Sequence, residues 1–488
     1  MKNILIDYTE GIVRVALVDG KTLEEFSVEH SSRTGIVGNI YKGKVENVLS
    51  GMKAVFVNIG LDRNGFLHVG DDLVDPGQIC VNGGARPLNV SPGDMIMCQV
   101  EKDSFGTKGP RLTTDITLAG YYLVFTPMSS YVGVSRKIEN PERRQYLEDL
   151  VKSLCPQNMG FIVRSASYKA SDDEIKAEID QLVSLWDRVV KNYQSATPTA
   201  LVFQEAELLE RAVRDTLAED IDKVIVNEKT IAEILRDNVG GATVEYYDGD
   251  RNIFKHFGVD NQINRLYERR VNLKNGGYLI IDKTEALTVI DVNTGKFVGG
   301  QNLEDTVYKT NLEGAEEIAR QLRLRNIGGI VVIDFIDMTD KSHKTDVVNR
   351  LKECLKKDSK RTSAVEMTSL GLVQLTRKKT SLPIAEFMLD DCEDCIDGHV
   401  LSSIQALLMM RGDLVDFTLK NKGESIVARV NPALIEAHKE VDVFSVDKGK
   451  ALSGVKAYLI PDEKLKRNEY FFEITDGEEI LPNVAVEI

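Results

Sequence analysis

Two short apolar runs, LTVIDVN at 287–293 and GGIVVIDFIDM at 328–338, each meet an aspartate near their end, Asp291 and Asp334. Between them lies NLEGAEEIARQLRLRN, in which Leu312, Ala315, Ile318, Ala319 and Leu322 recur at helical spacing. A strand–helix–strand unit of this kind predicts two neighbouring parallel strands joined by a right-handed crossover. With GGYLIID before it and TSAVEMTS after it, the alternation predicts a largely parallel sheet across 272–390. Both aspartates then emerge at the carboxyl edge, where open α/β sheets place their ligands. Asn293, two residues beyond Asp291, falls on the same side if the strand continues. One aspartate at a strand end is commonly a cap or a turn residue. Two on adjoining strands, with an asparagine beside them, offer hard oxygen ligands suited to Mg²⁺ rather than Zn²⁺. A metal held there can activate water and stabilise charge building on a phosphodiester. Asp337 is a rival ligand that lies three residues beyond Asp334.

The remainder divides by texture. A chain of 488 residues suggests about three globular units. No apolar run approaches the roughly 20 residues that span a bilayer, and the N-terminus lacks a basic region followed by a cleavage site. A cytoplasmic protein is expected. Residues 1–35 read as short strands. Segment 36–126 carries many short β runs broken by glycine, which predicts a small barrel, with a loop or hairpin at 75–94. From 127 to 200 we expect a helix near 141–154, a strand FIVRSA at 161–166 and an amphipathic helix at 171–193. The apolar stripe of that last helix, Ile175, Ile179, Leu182, Leu185 and Trp186, is core rather than site. Segment 201–270 alternates helix and strand, and 401–488 reads as a small separate α/β unit.

The net charge of −15 argues, taken alone, against a nucleic-acid protein. Phosphate contacts are made by local patches, however, and basic clusters occur at 136–144, 320–325, 356–361 and 377–379. In the barrel segment Phe56 and Phe66 sit on short strands, with Lys42, Lys53, Arg63 and Lys108 as sources of charge. Small barrels bind single strands by stacking bases on such aromatics, although an aromatic on a strand is more often core. Arg164 and Ser165 pair a guanidinium with a hydroxyl, a combination suited to a terminal phosphate or to a surface salt bridge. Of the six cysteines only Cys392 and Cys395 are closely paired; the other four suit small buried hydrophobes in a reducing compartment.

The run IDVNTGKFVGGQNLEDTVYKTNLEGAEEIARQLRLRNIGGIVVIDFIDM, followed by SLGLVQLTRKKT, resembles the catalytic core of the ribonuclease E/G family. The NTG and GLVQLTRKKT wording is nearer the G branch. GIVGNIYKGKV, RLTTDITLAGYYLVF and FIVRSA extend the resemblance over essentially the whole chain. It implies a multidomain α/β protein. A ribonuclease H-like half is split between 1–35 and 201–271, and is interrupted by an OB-type β-barrel at 36–126 and a 5′-sensor domain at 127–200. A deoxyribonuclease I-like catalytic domain follows at 272–390, then a zinc-link at 391–400 and the small C-terminal α/β domain at 401–488. The implied activity is metal-dependent endonucleolytic cleavage of single-stranded RNA, in rRNA maturation and mRNA turnover, with 5′-monophosphorylated substrates favoured. By the same resemblance Asp291 and Asp334 hold magnesium and Asn293 orients the scissile group. Phe56, Phe66 and Lys108 clamp RNA, while Arg164 and Ser165 form the 5′-phosphate pocket lined by Gly120, Val124, Arg136 and Arg361. Ser165 stands where the family usually has threonine, which keeps the hydroxyl.

The family's zinc-link has proline after its first cysteine; here the turn reads Cys392-Glu-Asp-Cys395. Two cysteines, with His399 as a third candidate, fall short of the four ligands of a structural zinc. An isologous homodimer supplies four thiolates around one shared ion, and a homotetramer is the further assembly the resemblance allows. The rival readings are a non-catalytic RNA-binding scaffold and a metal-dependent deoxyribonuclease.

Overall fold

The computed structural model describes residues 2–9, 11–30, 36–49, 54–68, 90–103, 109–204, 221–238, 243–295, 303–358, 360, 362–368, 370–379, 382–392, 398–421, 425–475 and 485–488. Most of the 75–94 insert, together with Lys53, Lys108, Arg361 and Cys395, lies outside those residues. The chain forms two compact units, one of residues 34–220 and one that joins 1–33 to 221–488.

In the 34–220 unit the glycine-punctuated strands close on themselves. Ile40–Leu49 pairs with Ala54–Asn58 on one side and Met95–Lys102 on the other, and Gly65–His68 and Arg111–Thr113 complete the ring. Closure removes the exposed edges of five short strands. The interior is filled by side chains such as Val45, Val57, Leu67, Ile96 and Val100. Gly43 is required there, because a Cβ would stand 2.4 Å from Val57 Cγ1. Cys98 is also interior, and burial pushes its thiol up to about 12, which suits packing rather than chemistry.

A four-stranded sheet follows, in the order Val132–Val134, Gly160–Val163, Leu123–Thr126, Leu118–Ala119. Helices Pro141–Leu154 and Asp172–Ser195 accompany it. The second starts at Ser171, whose hydroxyl accepts from Glu174 N while the Glu174 side chain accepts from Ser171 N, a reciprocal capping box. Its expected stripe is core: Ile175, Ile179, Leu182 and Trp186 are buried and Leu185 packs against them. The strand expected at 161–166 stops at Val163; Ser165–Tyr168 is a 3₁₀ turn, with Arg164 at its N-terminal cap. The Ser167 hydroxyl donates to Tyr122 O at 2.7 Å and the Ser167 amide to Arg164 O, and these bonds turn the chain out of the strand.

The other unit opens with a five-stranded sheet in the order Thr243–Tyr246, Lys223–Val226, Lys2–Thr9, Ile12–Asp19, Thr22–His30. Asp7 on its central strand is 1% exposed. It is enclosed by Arg14, Arg411 and Asn227, and Arg411 also pairs with buried Asp447. Burial pushes the Asp7 carboxyl up, but the Arg411 and Arg14 charges outweigh that and hold it below the usual range. The C-terminal segment forms a four-stranded sheet, in the order Tyr470–Thr475, Ser425–Val430, Ala457–Pro461, Val486–Glu487, with helices Ser403–Lys420 and Pro432–Glu440.

Between these lies a six-stranded sheet in the order Arg270–Asn272, Tyr278–Lys283, Leu287–Asn293, Gly329–Asp334, Leu372–Arg377, Thr362–Met367. The largely parallel sheet expected here is not what forms. Only Leu287–Asn293 and Gly329–Asp334 are parallel neighbours; every other adjacent pair is antiparallel. Only the connection through helix Leu303–Leu324 joins two adjacent strands as a crossover. Short links turn the chain back between Arg270–Asn272, Tyr278–Lys283 and Leu287–Asn293, and between Thr362–Met367 and Leu372–Arg377. Leu372–Arg377 meets Gly329–Asp334 antiparallel after the chain has passed through helix Lys341–Leu355 and Thr362–Met367. Helices Leu303–Leu324 and Lys341–Leu355 cover one face, packing Ile318, Leu322, Val347 and Leu351 against Ile290, Val292, Val331 and Ile333. Among the described residues no helix is long and apolar enough to cross a membrane.

Candidate active site

Strand alternation separates the residues of the six-stranded sheet. Thr288, Ile290 and Val292 are buried beneath the helices, so Val289, Asp291 and Asn293 take the opposite face. Val331 and Ile333 likewise leave Ile330, Val332 and Asp334 on that face. Asp291 and Asp334 are therefore not merely at the carboxyl end of two strands. They stand on the uncovered face, exposed, and directly opposite each other in the parallel register. Strand Leu287–Asn293 does continue to Asn293, whose Nδ2 donates to Asp291 Oδ2 at 2.6 Å.

The electrostatics follow from that placement. The Asp334 carboxyl is raised above its usual value by partial burial and then by the negative charges of Asp291 and Asp337. Asp337, the rival ligand, contributes to the same field, and its Oδ1 lies 3.7 Å from where a Cβ on Gly371 would be. No cluster of three or more histidine, cysteine or acidic side chains is placed to hold a metal among the described residues. A pair of carboxylates suits Mg²⁺, which usually keeps several waters and takes one or two protein carboxylates.

The loop after Asp334 is pinned to helix Leu303–Leu324. Asn311 Nδ2 donates to Ile336 O at 2.8 Å, and Ile336 N returns a bond to Asn311 Oδ1. Glu304 accepts from the Thr339 hydroxyl and amide and from Asp340 N, and sits 3.1 Å from His343 Nδ1. The Thr339 hydroxyl first, then those amides and His343, bring the Glu304 carboxyl down to about 2. Neither Glu304 nor Asn311 stands out in sequence, because each looks like an ordinary helix residue. Only the strand–loop geometry assigns them a partner.

Asp7, a buried strand aspartate, offers no comparable site, since Arg14, Arg411 and Asn227 occupy its oxygens.

On the barrel, Phe56 and Phe66 are register partners on antiparallel strands, and their rings meet edge to face at 6.0 Å. Both are only partly buried, so they remain accessible from solvent. Lys42 is not available as expected. Its Nζ donates to Ala196 O at 2.8 Å and lies over the Tyr193 ring, which ties it to the interior of its own unit.

In the four-stranded sheet Arg164 reaches Gly120, with Nη1 donating to Gly120 O at 2.7 Å. Val124 lies opposite Ala119 and Ile162 in the same sheet, Ser165 begins the 3₁₀ turn after Arg164, and exposed Arg136 follows strand Val132–Val134. Gly120 borders a groove of about 610 Å³ that Glu178 and Arg188 also line. Glu178 fills an anion-binding position there: it accepts from the amides of Tyr121, Tyr122 and Leu123 at 2.6–2.8 Å.

Cys392 leaves a hairpin in which Asp391 opposes His399, and its amide donates to Gly398 O at 2.8 Å. His399 Nδ1 lies 3.4 Å from Asp391 Oδ1.

Comparison with known proteins places these features in context. The profile of the Ribonuclease E/G family matches residues 117–380. The chain is 38% identical over 484 residues to Ribonuclease G of Escherichia coli strain K12, which covers 96% of this chain and 98% of that protein. Ribonuclease G of Haemophilus influenzae is 40% identical over 448 residues, covering 89% and 91% respectively. Ribonuclease E of Escherichia coli strain K12 is 32% identical over 496 residues, spanning 98% of this chain but 47% of the longer relative.

Proposed function

The chain belongs to the ribonuclease E/G family and is an endoribonuclease, and from that premise we propose that it hydrolyses single-stranded RNA at the Asp291–Asp334 face. The observation that carries this reading is a pair of exposed carboxylates in direct register, one of them raised by partial burial and then by the other's charge. Such repulsion is stored by a site built to receive a divalent cation. Asp291 and Asp334 would hold magnesium, which supplies positive charge against the phosphate and acidifies water when bound.

The chain's own groups do the rest. Asn293 is held by its bond to Asp291; its amide keeps a second hydrogen with which to orient a phosphate oxygen. The pinned loop keeps Asp334 and Asp337 from spreading apart under their own repulsion. Hydrolysis leaves a 3′-hydroxyl upstream and a 5′-phosphate downstream.

Phe56 and Phe66, with Lys108, grip the RNA strand. Arg164, Ser165, Gly120, Val124, Arg136 and Arg361 sense a 5′-monophosphate and favour substrates that carry one. Two copies of the Cys392–Cys395 turn supply the four thiolates that a structural zinc takes, so the working assembly is a homodimer. The finer architecture follows the family: a ribonuclease H-like half, an OB-type barrel, a 5′ sensor and a deoxyribonuclease I-like catalytic domain. The substrates are precursors of ribosomal RNA and messenger RNA.

The test is cleavage of matched RNA and DNA oligonucleotides, with and without magnesium, on substrates differing only at the 5′ end. Magnesium-dependent scission of RNA, faster with a 5′-monophosphate, is expected. Binding without turnover would instead make the chain a scaffold, and equal scission of DNA would make it a general nuclease.

A further inference from the structure

The uncovered face of the six-stranded sheet carries more than the aspartates. The register runs in a straight row from Arg270 to Ile280, Asp291, Asp334 and Leu372. A second row beside it runs from Asn272 to Tyr278 and Asn293. Tyr278 is thus diagonal to Asp291, about 7–8 Å away between backbones. Arg270 stands two strands from Asp291, about 10 Å at the usual strand spacing.

These two side chains form one object. The Arg270 guanidinium lies over the Tyr278 ring, 3.9 Å from its centroid, and its Nε donates to Asn272 Oδ1 at 3.1 Å. No carboxylate pairs with Arg270 among the described residues, whereas the adjacent Arg269 is taken up by Asp282. The ring is also confined at its edge. Gly295 has a φ of +60°, and a Cβ there would stand 3.3 Å from Tyr278 Cδ1 and 2.5 Å from Gly276 O. A planar cation is therefore held flat and exposed, within one nucleotide's reach of the acidic pair. Guanidinium planes of this kind stack on unpaired bases.

We propose that Arg270, laid flat by Tyr278, is a stacking subsite for the base of a nucleotide adjoining the scissile phosphate. The inference rests on the reading of Asp291 and Asp334 as the cutting centre. A stacked base fixes the register of the strand across the sheet and accepts any base, since each has a π face.

The experiment is an abasic scan. A single-site RNA substrate is made with one abasic nucleotide at each position around the cut, and kcat/KM is measured for the wild-type protein, Arg270→Gln, Arg270→Lys and Tyr278→Ala. In the wild type one abasic position next to the cut should lower kcat/KM by about ten- to a hundredfold. Arg270→Gln should lose a similar factor on intact RNA and become indifferent to that abasic position. Arg270→Lys, which keeps the charge without the plane, should behave like Arg270→Gln, with an unchanged melting temperature. Tyr278→Ala should fall between. If the variants lose the same factor on intact and abasic RNA alike, or lose nothing, the subsite is refuted. A wild-type protein that never cuts RNA would instead overturn the underlying reading.

Discussion

Replacing Asp334 by asparagine should strengthen the metal-free fold while it disables the reaction. Asp291 and Asp334 lie opposite each other on neighbouring strands, so their backbones are about 4.8 Å apart. Both carboxylates are exposed, so a water-like dielectric applies and the repulsion is about 1 kcal/mol at roughly 4–5 Å. Asp334→Asn removes that term and the smaller one from Asp337, and should raise the melting temperature of metal-free protein by about 2 °C. The folded carboxyl titrates above its usual value, so its penalty appears as pH rises through that raised value. The variant's advantage should accordingly vanish in acid, and it should shrink at high salt. Magnesium reverses the comparison. At about a hundred times its dissociation constant a bound ion stabilises the wild type by about 2.7 kcal/mol, and the variant should forfeit most of this. Cleavage should fall at least about a hundredfold, because charge held by a metal is worth several kcal/mol in the transition state. Thermal melts in chelator and in magnesium, beside single-turnover cleavage, read all three quantities. A metal-free variant less stable than wild type, or one that still cuts at low magnesium, would refute the reasoning; so would an Asp337→Asn variant that loses more activity than Asp334→Asn.

Three further outcomes can be checked. Arg164→Gln should slow cleavage of 5′-monophosphorylated RNA toward the rate for 5′-hydroxyl RNA and leave the latter unchanged; equal losses would make Arg164 structural, through its bond to Gly120 O. Phe56→Ala and Phe66→Ala should each weaken RNA binding by about 1–3 kcal/mol with little effect on melting, because both rings are only partly buried; a melting loss typical of a core truncation returns them to packing. Cys392→Ser with Cys395→Ser should shift a zinc-containing dimer, at about one ion per two chains, toward monomers, and a metal-free dimer indifferent to the change by light scattering and elemental analysis removes the zinc assignment.

The two aspartates were legible because alternation and a helix-period insert survive in one dimension. An apolar run that ends in Asp291, then a helix, then one that ends in Asp334 leaves few arrangements, and the parallel pair was among them. What alternation does not carry is pairing between strands. Tyr278–Lys283 joins the sheet antiparallel through a hairpin, and nothing in GGYLIID distinguishes that from a parallel neighbour. The direction of the sheet was therefore misjudged, and Arg270 and Tyr278 went unnoticed, since their nearness to Asp291 exists only in the register. Arg164 was misplaced on a strand for a related reason: FIVRSA alternates like a strand, and the Ser167 bond to Tyr122 that turns the chain is long-range. Lys42 looked like a surface cation because sequence does not reveal the carbonyl that claims it.

The cluster around Asp7 bears on how the protein is made. Arg14 lies directly opposite Asp7 in the first hairpin, so that hairpin is charge-balanced almost as soon as it leaves the ribosome. Arg411 and Asp447 form an equally balanced pair near the other end of the chain. At roughly 5–20 residues per second the first pair waits on the order of 20–80 s for the second. Because each half is neutral, the wait exposes no unpaired charge to be buried wrongly, and the final docking joins two finished pieces. A nascent chain released before Asp447 would present Arg411 with one carboxylate instead of two, and Asp7 alone would then have to balance both Arg14 and Arg411 at the clasp between the first and last segments of the 1–33/221–488 unit.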